Sequence, residues 1–571
     1  MRNRTLNVEL GLYVLIFLLA AGFRLVGLGR NSLTDAEASL ALQALELARG
    51  GSPVLTGQPG YLVLTAFLFF LTRATEFTAR LLPAIAGSLM VWAVYLFRNP
   101  LGRVAGLGLA FLLAIEPGLV AASRQADGMI FAIALSVLGA GILYQRKPAA
   151  GGILLGLALL GGPSAWLGML IVGLAVFLSR MLVSQSAVND GDIADIAGMD
   201  VRLWPWRAAL PWLAGSLIIL GTMFLWVPAG ISALFSSLAD FISGWAQPAQ
   251  FPASRLFVIL AGYQPLVVFL GMIGIIAALM KRDRRDIFLT TWFVVGMVVV
   301  LIYPGRHATD LLWALTPLCA LAARQAVRFI PLMRSDPTVF TAQAALVFVL
   351  SIFGWLNLVA LSQQPVGTEV ELTRYLTLAG SVLLILLVSI LVAWSWSAQP
   401  AIGGLIWGIT AVLLIYTISS AVHAGGLGQQ PHAVLWRRSP YVDQDNLLLR
   451  TVTNLSQWNT RAADALELLI LDVPSPALAW AVRDYRNAHI MSGIELGADP
   501  AMVITQAGEE LTLAASYTGQ SFVWSRSPVW EGANWLRWRV VRTMPMIETR
   551  IILWVRSDLL PGVGLEPPGE P

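Results

Sequence analysis

Long apolar runs separated by short basic turns fill the first three-quarters of the chain, and the pattern changes after His423. A helix needs about 20 apolar residues to cross a bilayer, and the runs here predict about 13 transmembrane helices. The first four are Leu12 to Leu28, Leu81 to Leu96, Val104 to Val120 and Gly128 to Tyr144. A Gly-rich pair follows (Ala149 to Leu160, Ala165 to Leu182), then Ala208 to Trp226, Leu256 to Met280, Ile287 to Ile302 and Asp310 to Ala323. The last three are Val339 to Leu361, Tyr375 to Trp396 and Ala401 to Ala421. One further piece, Tyr61 to Leu71, is read as an interfacial or re-entrant helix, because counting it as a crossing would put every later loop on the wrong side.

Between the first two runs lies a stretch of another kind. Thr34 reads as a helix N-cap with Asp35 and Glu37 in the first turn, where carboxylates suit the positive end of the helix dipole. Leu40, Leu42, Leu45 and Leu47 then form an apolar face able to lie on the membrane surface. From about Gly425 the chain is polar enough to be soluble. Leu466 to Val473 reads as a buried strand, Ser475 to Tyr485 as a helix, and short apolar runs recur at 489–491, 502–505, 521–524 and 551–555. The expected organisation is a membrane domain over 1–424 and a small α/β domain over 425–571.

Composition agrees with the pattern: of 571 residues, 57% are hydrophobic and 12% charged, as in a polytopic membrane protein. The net charge of +4 is spread over short loops, so nucleic acid is not an expected partner. Placing the N-terminus in the cytoplasm puts Arg98, Arg103, Arg146, Lys147 and the 281–285 basic cluster inside, as the positive-inside rule requires. The acidic loop from Val183 to Arg207 shows no calcium-binding register and reads as solvated. The single Cys319 and the scattered His307, His423, His432 and His489 give no metal-ligand spacing, and a divalent metal is not indicated.

That orientation gathers Asp35, Glu37, Arg73, Arg80, Glu116, Arg124, Asp127, Arg306 and His307 on the outer face. Ionisable groups at membrane level are costly unless they pair or line a wet cavity. Acids with several arginines suit transfer from a phosphate-linked lipid, the carboxylate taking the acceptor's proton and the arginines stabilising the leaving phosphate.

These residues resemble a known family. Phe23-Arg24-Leu25-Val26-Gly27-Leu28, the Asp35-x-Glu37 stretch, the helix ending at Gly50, Glu76 to Pro83 with Gly87, and the Arg124 to Asp127 turn are similar to the GT-C membrane glycosyltransferases. Within these, the likeness is to the protein-O-mannosyltransferase and aminoarabinose-transferase-like group. It is densest over about residues 10–145, and the 474–485 segment resembles the outer domain of a prokaryotic, flippase-associated subgroup. The resemblance implies an inverting transfer of sugar from a polyprenyl-phosphate donor to a protein, lipid or glycan acceptor outside a prokaryotic plasma membrane. It implies Asp35 as general base with Glu37 and Asp127 as further acids. Arg80, Arg124 and Arg306 are then the phosphate-binding candidates, and Arg73, Glu116 and His307 the accessory ones. Ala36 stands where the family has a second acid. The alternative is a non-catalytic scaffold of the same fold that handles lipid-linked sugar.

Overall fold

The computed structural model describes residues 2–184, 204–249, 251–363, 369–428, 433–493, 499–508 and 515–560; most of the acidic 183–207 loop, including its four aspartates, lies outside them. The first helices are α1 (Arg2–Leu25), α2 (Asp35–Ala48), α3 (Pro59–Leu71), α4 (Glu76–Leu96), α5 (Arg98–Leu101), α6 (Arg103–Ile115), α7 (Pro117–Ser123) and α8 (Met129–Tyr144). Among the described residues seven helices are long and apolar enough to cross a membrane, or nine if each of two bent pairs is one span. Five further apolar helices have 10–17 residues, α3 among them. The thirteen apolar runs therefore resolve into elements of unequal length.

Two of the expected spans are broken. The run Val104 to Val120 is α6 and α7, which meet at 55°. Pro117 has no N–H to continue a helix, and the Glu116 carboxylate caps the new start by accepting from the Gly118 and Leu119 N–H groups. The run Leu256 to Met280 is two helices, Ala253–Tyr263 and Pro265–Lys281, bent by 98°. A residue before proline is disfavoured in helical conformation, and Gln264 sits there at φ −117°, ψ 26°. Its side-chain amide donates to Glu116, so the two breaks face each other in the core.

Helix α2 also departs from its expected setting. Its apolar residues Leu40, Ala41, Ala44 and Leu45 are buried, and the helix packs on α3 and the short helix Pro476–Ala481, so protein rather than lipid covers that face. After His423 all the described strands form one six-stranded sheet: β1 (Tyr441–Val442), β2 (Leu468–Leu471), β3 (Ala488–Met491), β4 (Met502–Gln506), β5 (Tyr517–Pro528) and β6 (Met546–Arg556). Their order is β1-β5-β6-β4-β2-β3, with β2 parallel to β3 and β4 and the other pairs antiparallel. The Pro476–Ala481 helix is the crossover between the parallel β2 and β3. It carries the sheet domain onto the loops that hold the expected acids: Trp480 donates to Glu76 at 2.9 Å, and Arg483 to the Ala74 carbonyl at 3.0 Å.

Candidate active site

Asp35 and Glu37 start the same helix yet face different partners, because two residues turn a helix by about 200°. Glu37 is buried and Arg80 grips it with two hydrogen bonds, Nε to Oε1 at 2.7 Å and Nη2 to Oε2 at 2.8 Å. Glu37 also accepts from the Thr34 N–H and hydroxyl, both at 3.0 Å, and from the Ala126 N–H at 2.9 Å. Burial alone would raise its pKa. The Arg80 charge, the hydrogen bonds and the nearby Arg437 prevail and hold it down to about 2. The remaining Arg80 donors go to the Leu28, Asn31 and Ser32 carbonyls, so the guanidinium is saturated by protein. Arg80 and Glu37 thus fasten the loop after α1 to α4.

Asp35 looks the other way and is only partly exposed. Its Oδ1 accepts from the Ser475 hydroxyl at 2.6 Å and from the Ala477 N–H at 3.1 Å, both in the sheet domain. Its Oδ2 has no partner among the described residues.

The turn after α7 brings in the second acid. Arg124 donates to the Phe23, Arg24, Val26, Gly27 and Gly425 carbonyls, and so caps the end of α1 with every one of its nitrogens engaged. Asp127 pairs with Arg438 at 3.1 Å while its other oxygen accepts from the Met129 N–H at 2.9 Å. Arg438 opens onto a cavity of about 260 Å³ that Gln58, Ser164, Asp240, His307 and Asp310 also line. Gly162, at φ +105°, makes the turn that aims Ser164 inward. Asp310 accepts from the Ser164 hydroxyl and from the His307 N–H, each at 2.8 Å. The Arg438 charge, with burial, depresses His307 to about 3, while burial pushes the Asp310 carboxyl up. The imidazole is therefore neutral at physiological pH.

The other expected residues lie apart from this cavity. Arg306 is buried and donates to the Leu301 and Tyr303 carbonyls at 3.2 and 2.9 Å; it does not line the cavity that the neighbouring His307 enters. Arg73 is exposed. Glu116 sits at the α6–α7 break. The sequence did not single out Arg438, Asp310, Gln58, Ser164 or Asp240. Arg437-Arg438 carried a usable signal, an adjacent basic pair shortly after the last apolar run. The others are brought together only by the packing of distant loops. Among the described residues no group of three or more His, Cys, Asp or Glu is arranged to hold a metal ion.

No protein-family model and no curated protein matches the chain. Solved structures do. The crystal structure of ArnT from Cupriavidus metallidurans bound to undecaprenyl phosphate aligns over 97% of this chain and 99% of that one, at 14% identity and a TM-score of 0.54. Its apo state gives the same coverage and identity with a TM-score of 0.52. The chain has the GT-C fold. The arabinosyltransferase EmbB from Mycobacterium smegmatis aligns over 74% of this chain and 42% of its own at a TM-score of 0.34, too low to bear on the fold. In this GT-C fold the loop after α1, the Arg124–Asp127 turn and the 303–310 segment share the face on which the sheet domain sits.

Proposed function

We propose that the protein is an inverting membrane glycosyltransferase that moves a sugar from a polyprenyl-phosphate-linked donor to an acceptor hydroxyl on the outer face. The observation that carries this reading is the polar cavity with Arg438 in its wall, set in a GT-C fold shared with ArnT, which has been solved bound to undecaprenyl phosphate. Arg80 and Arg124 spend their donors on the scaffold, so the phosphate falls to Arg438, which Asp127 orients. Neutral His307 and the Gln58 and Ser164 side chains supply hydrogen bonds to sugar hydroxyls. Asp35 is the general base. The acceptor oxygen bonds to the anomeric carbon, its proton passes to Asp35, and the bond from that carbon to the phosphate oxygen breaks. The electron pair leaves with the lipid phosphate, and the configuration inverts. On this reading the basic loops and the N-terminus are cytoplasmic, as the positive-inside rule favours, and the 425–571 domain lies outside.

In proteoliposomes loaded with polyprenyl-phosphate sugar, the wild type should release polyprenyl phosphate. Arg438→Ala should weaken donor use about 10- to 100-fold, the worth of a hydrogen bond to a charged group. Asp35→Asn should lower turnover by roughly 100-fold or more while the protein still inserts, since general-base catalysis is worth at least that much. Full turnover in Asp35→Asn would remove Asp35 from the mechanism. A second reading, a non-catalytic scaffold for lipid-linked sugar, is favoured by Ala36 in place of a second acid and by the position of Asp35 outside the cavity lining. Such a protein binds the donor and releases no polyprenyl phosphate.

A further inference from the structure

We propose that Ser475, supplied by the sheet domain, is the positioning residue that holds the Asp35 carboxylate for proton transfer; this rests on the transferase reading above. The argument starts from the hydroxyl's own valence. A serine hydroxyl has one proton to give and two lone pairs to accept with. Both acceptor sites on Ser475 are taken, one by the Trp524 indole N–H at 2.9 Å and the other by the Leu478 N–H at 3.3 Å. The proton is thereby directed onto Asp35 Oδ1, 2.6 Å away.

Trp524 is itself held in place. It is buried, and it is the extra residue of a β-bulge in β5, where the pairing with β6 jumps between Val523 and Ser525. A bulge re-aims the side chain it carries, and this one points its indole N–H at Ser475. The relay from sheet to base is Trp524, Ser475, Asp35. With Oδ1 fixed by Ser475 and Ala477, the free Oδ2 is the atom left to take the acceptor's proton. An oriented carboxylate with one open oxygen suits a general base, because reach and direction set the efficiency of proton transfer.

The outer domain then completes the site from 440 residues away in the chain. Its docking does not hang on this contact alone. Trp480 binds Glu76 at the start of α4 and Arg483 binds Ala74 just before it, Ser32 donates to Asp445, and the Phe69 and Trp480 rings lie 6.0 Å apart. Loss of one hydroxyl should therefore leave the domain in place.

The test compares Ser475→Ala, Ser475→Thr and wild type, each as the full-length protein in proteoliposomes with a polyprenyl-phosphate sugar donor. Ser475→Ala should lose roughly ten-fold in kcat, the order expected for a hydrogen bond to a charged group, with the donor KM unchanged. Ser475→Thr, which keeps the hydroxyl, should restore kcat. Hydrogen exchange over 476–481 reports docking without reference to activity, and should match wild type in Ser475→Ala. An unchanged kcat in Ser475→Ala, or a fall that Ser475→Thr does not rescue, overturns the positioning role. A wild type that binds donor and releases no polyprenyl phosphate overturns the transferase reading instead; faster exchange over 476–481 in Asp35→Ala then still shows the contact.

Discussion

Glu37 and Asp35 separate two jobs that the sequence shows as one acidic cluster. Glu37 is paired inside the protein, so Glu37→Ala should destabilise the fold by about 3–5 kcal/mol, the cost of stranding a buried Arg80, read as a drop in the detergent-solubilised melting temperature. The pH sign follows from its depressed pKa. The stability it contributes is fully present above its unfolded value of about 4.3 and is lost as pH falls through about 2. His307 has the same sign over a higher pH window. Its folded form is held neutral, so protonation favours unfolding as pH falls from about 6.5 towards 3. Arg438→Gln removes the main cause, and that variant should lose less stability than wild type over the same interval in a pH series of thermal melts. At this scale the sequence named the acids and could not sort them: which carboxylate meets an arginine depends on where α4 and the sheet domain lie.

At the scale of elements, apolar runs predicted helices well and their breaks poorly. Hydropathy is blind to Gln264-Pro265 and Glu116-Pro117, because the residues on both sides are equally apolar; the capping and the missing proline N–H make the bends. The run ending at Trp226 hides another break. Met223, Phe224 and Leu225 take left-handed conformations, at φ +51°, +58° and +69°, in an elbow between the helices Trp206–Gly221 and Ala229–Ser243. Such a conformation costs a side-chain-bearing residue about 1–2 kcal/mol. Phe224 is 76% exposed and packs little. Phe224→Gly should accordingly raise stability, by up to about 1 kcal/mol once the glycine's extra chain entropy is counted, as measured by the melting midpoint. The strands of the sheet domain were legible as short apolar runs; their lengths and order were not, since β5 and β6 extend into polar residues that pair through the backbone.

For the whole molecule, the helical part and the sheet meet over the loop after α1, so that loop, the Arg124–Asp127 turn and the sheet domain share one face. The proposed orientation can be checked chemically, because Cys319 is the chain's one cysteine and is buried. In a Cys319→Ala background, a membrane-impermeant maleimide applied to intact cells should label Glu531→Cys and leave Lys281→Cys unlabelled; both positions are exposed. Labelling of Lys281→Cys alone would reverse the topology and move the cavity to the cytoplasmic side.

The sequence by itself determined that the chain lives in a membrane and that its polarity rises after His423, features of composition and local periodicity that each segment carries alone. The GT-C fold was legible only through a family resemblance carried by the loops of Asp35, Glu37 and Asp127. Tertiary structure decided what each charge does. It closed Arg80 on Glu37 and on backbone carbonyls, saturated Arg124 with carbonyls at the end of α1, brought Arg438 to Asp127, and set Ser475 against Asp35. A side chain's role here depends on its partner, and these partners lie dozens to hundreds of residues away, where no local pattern can point.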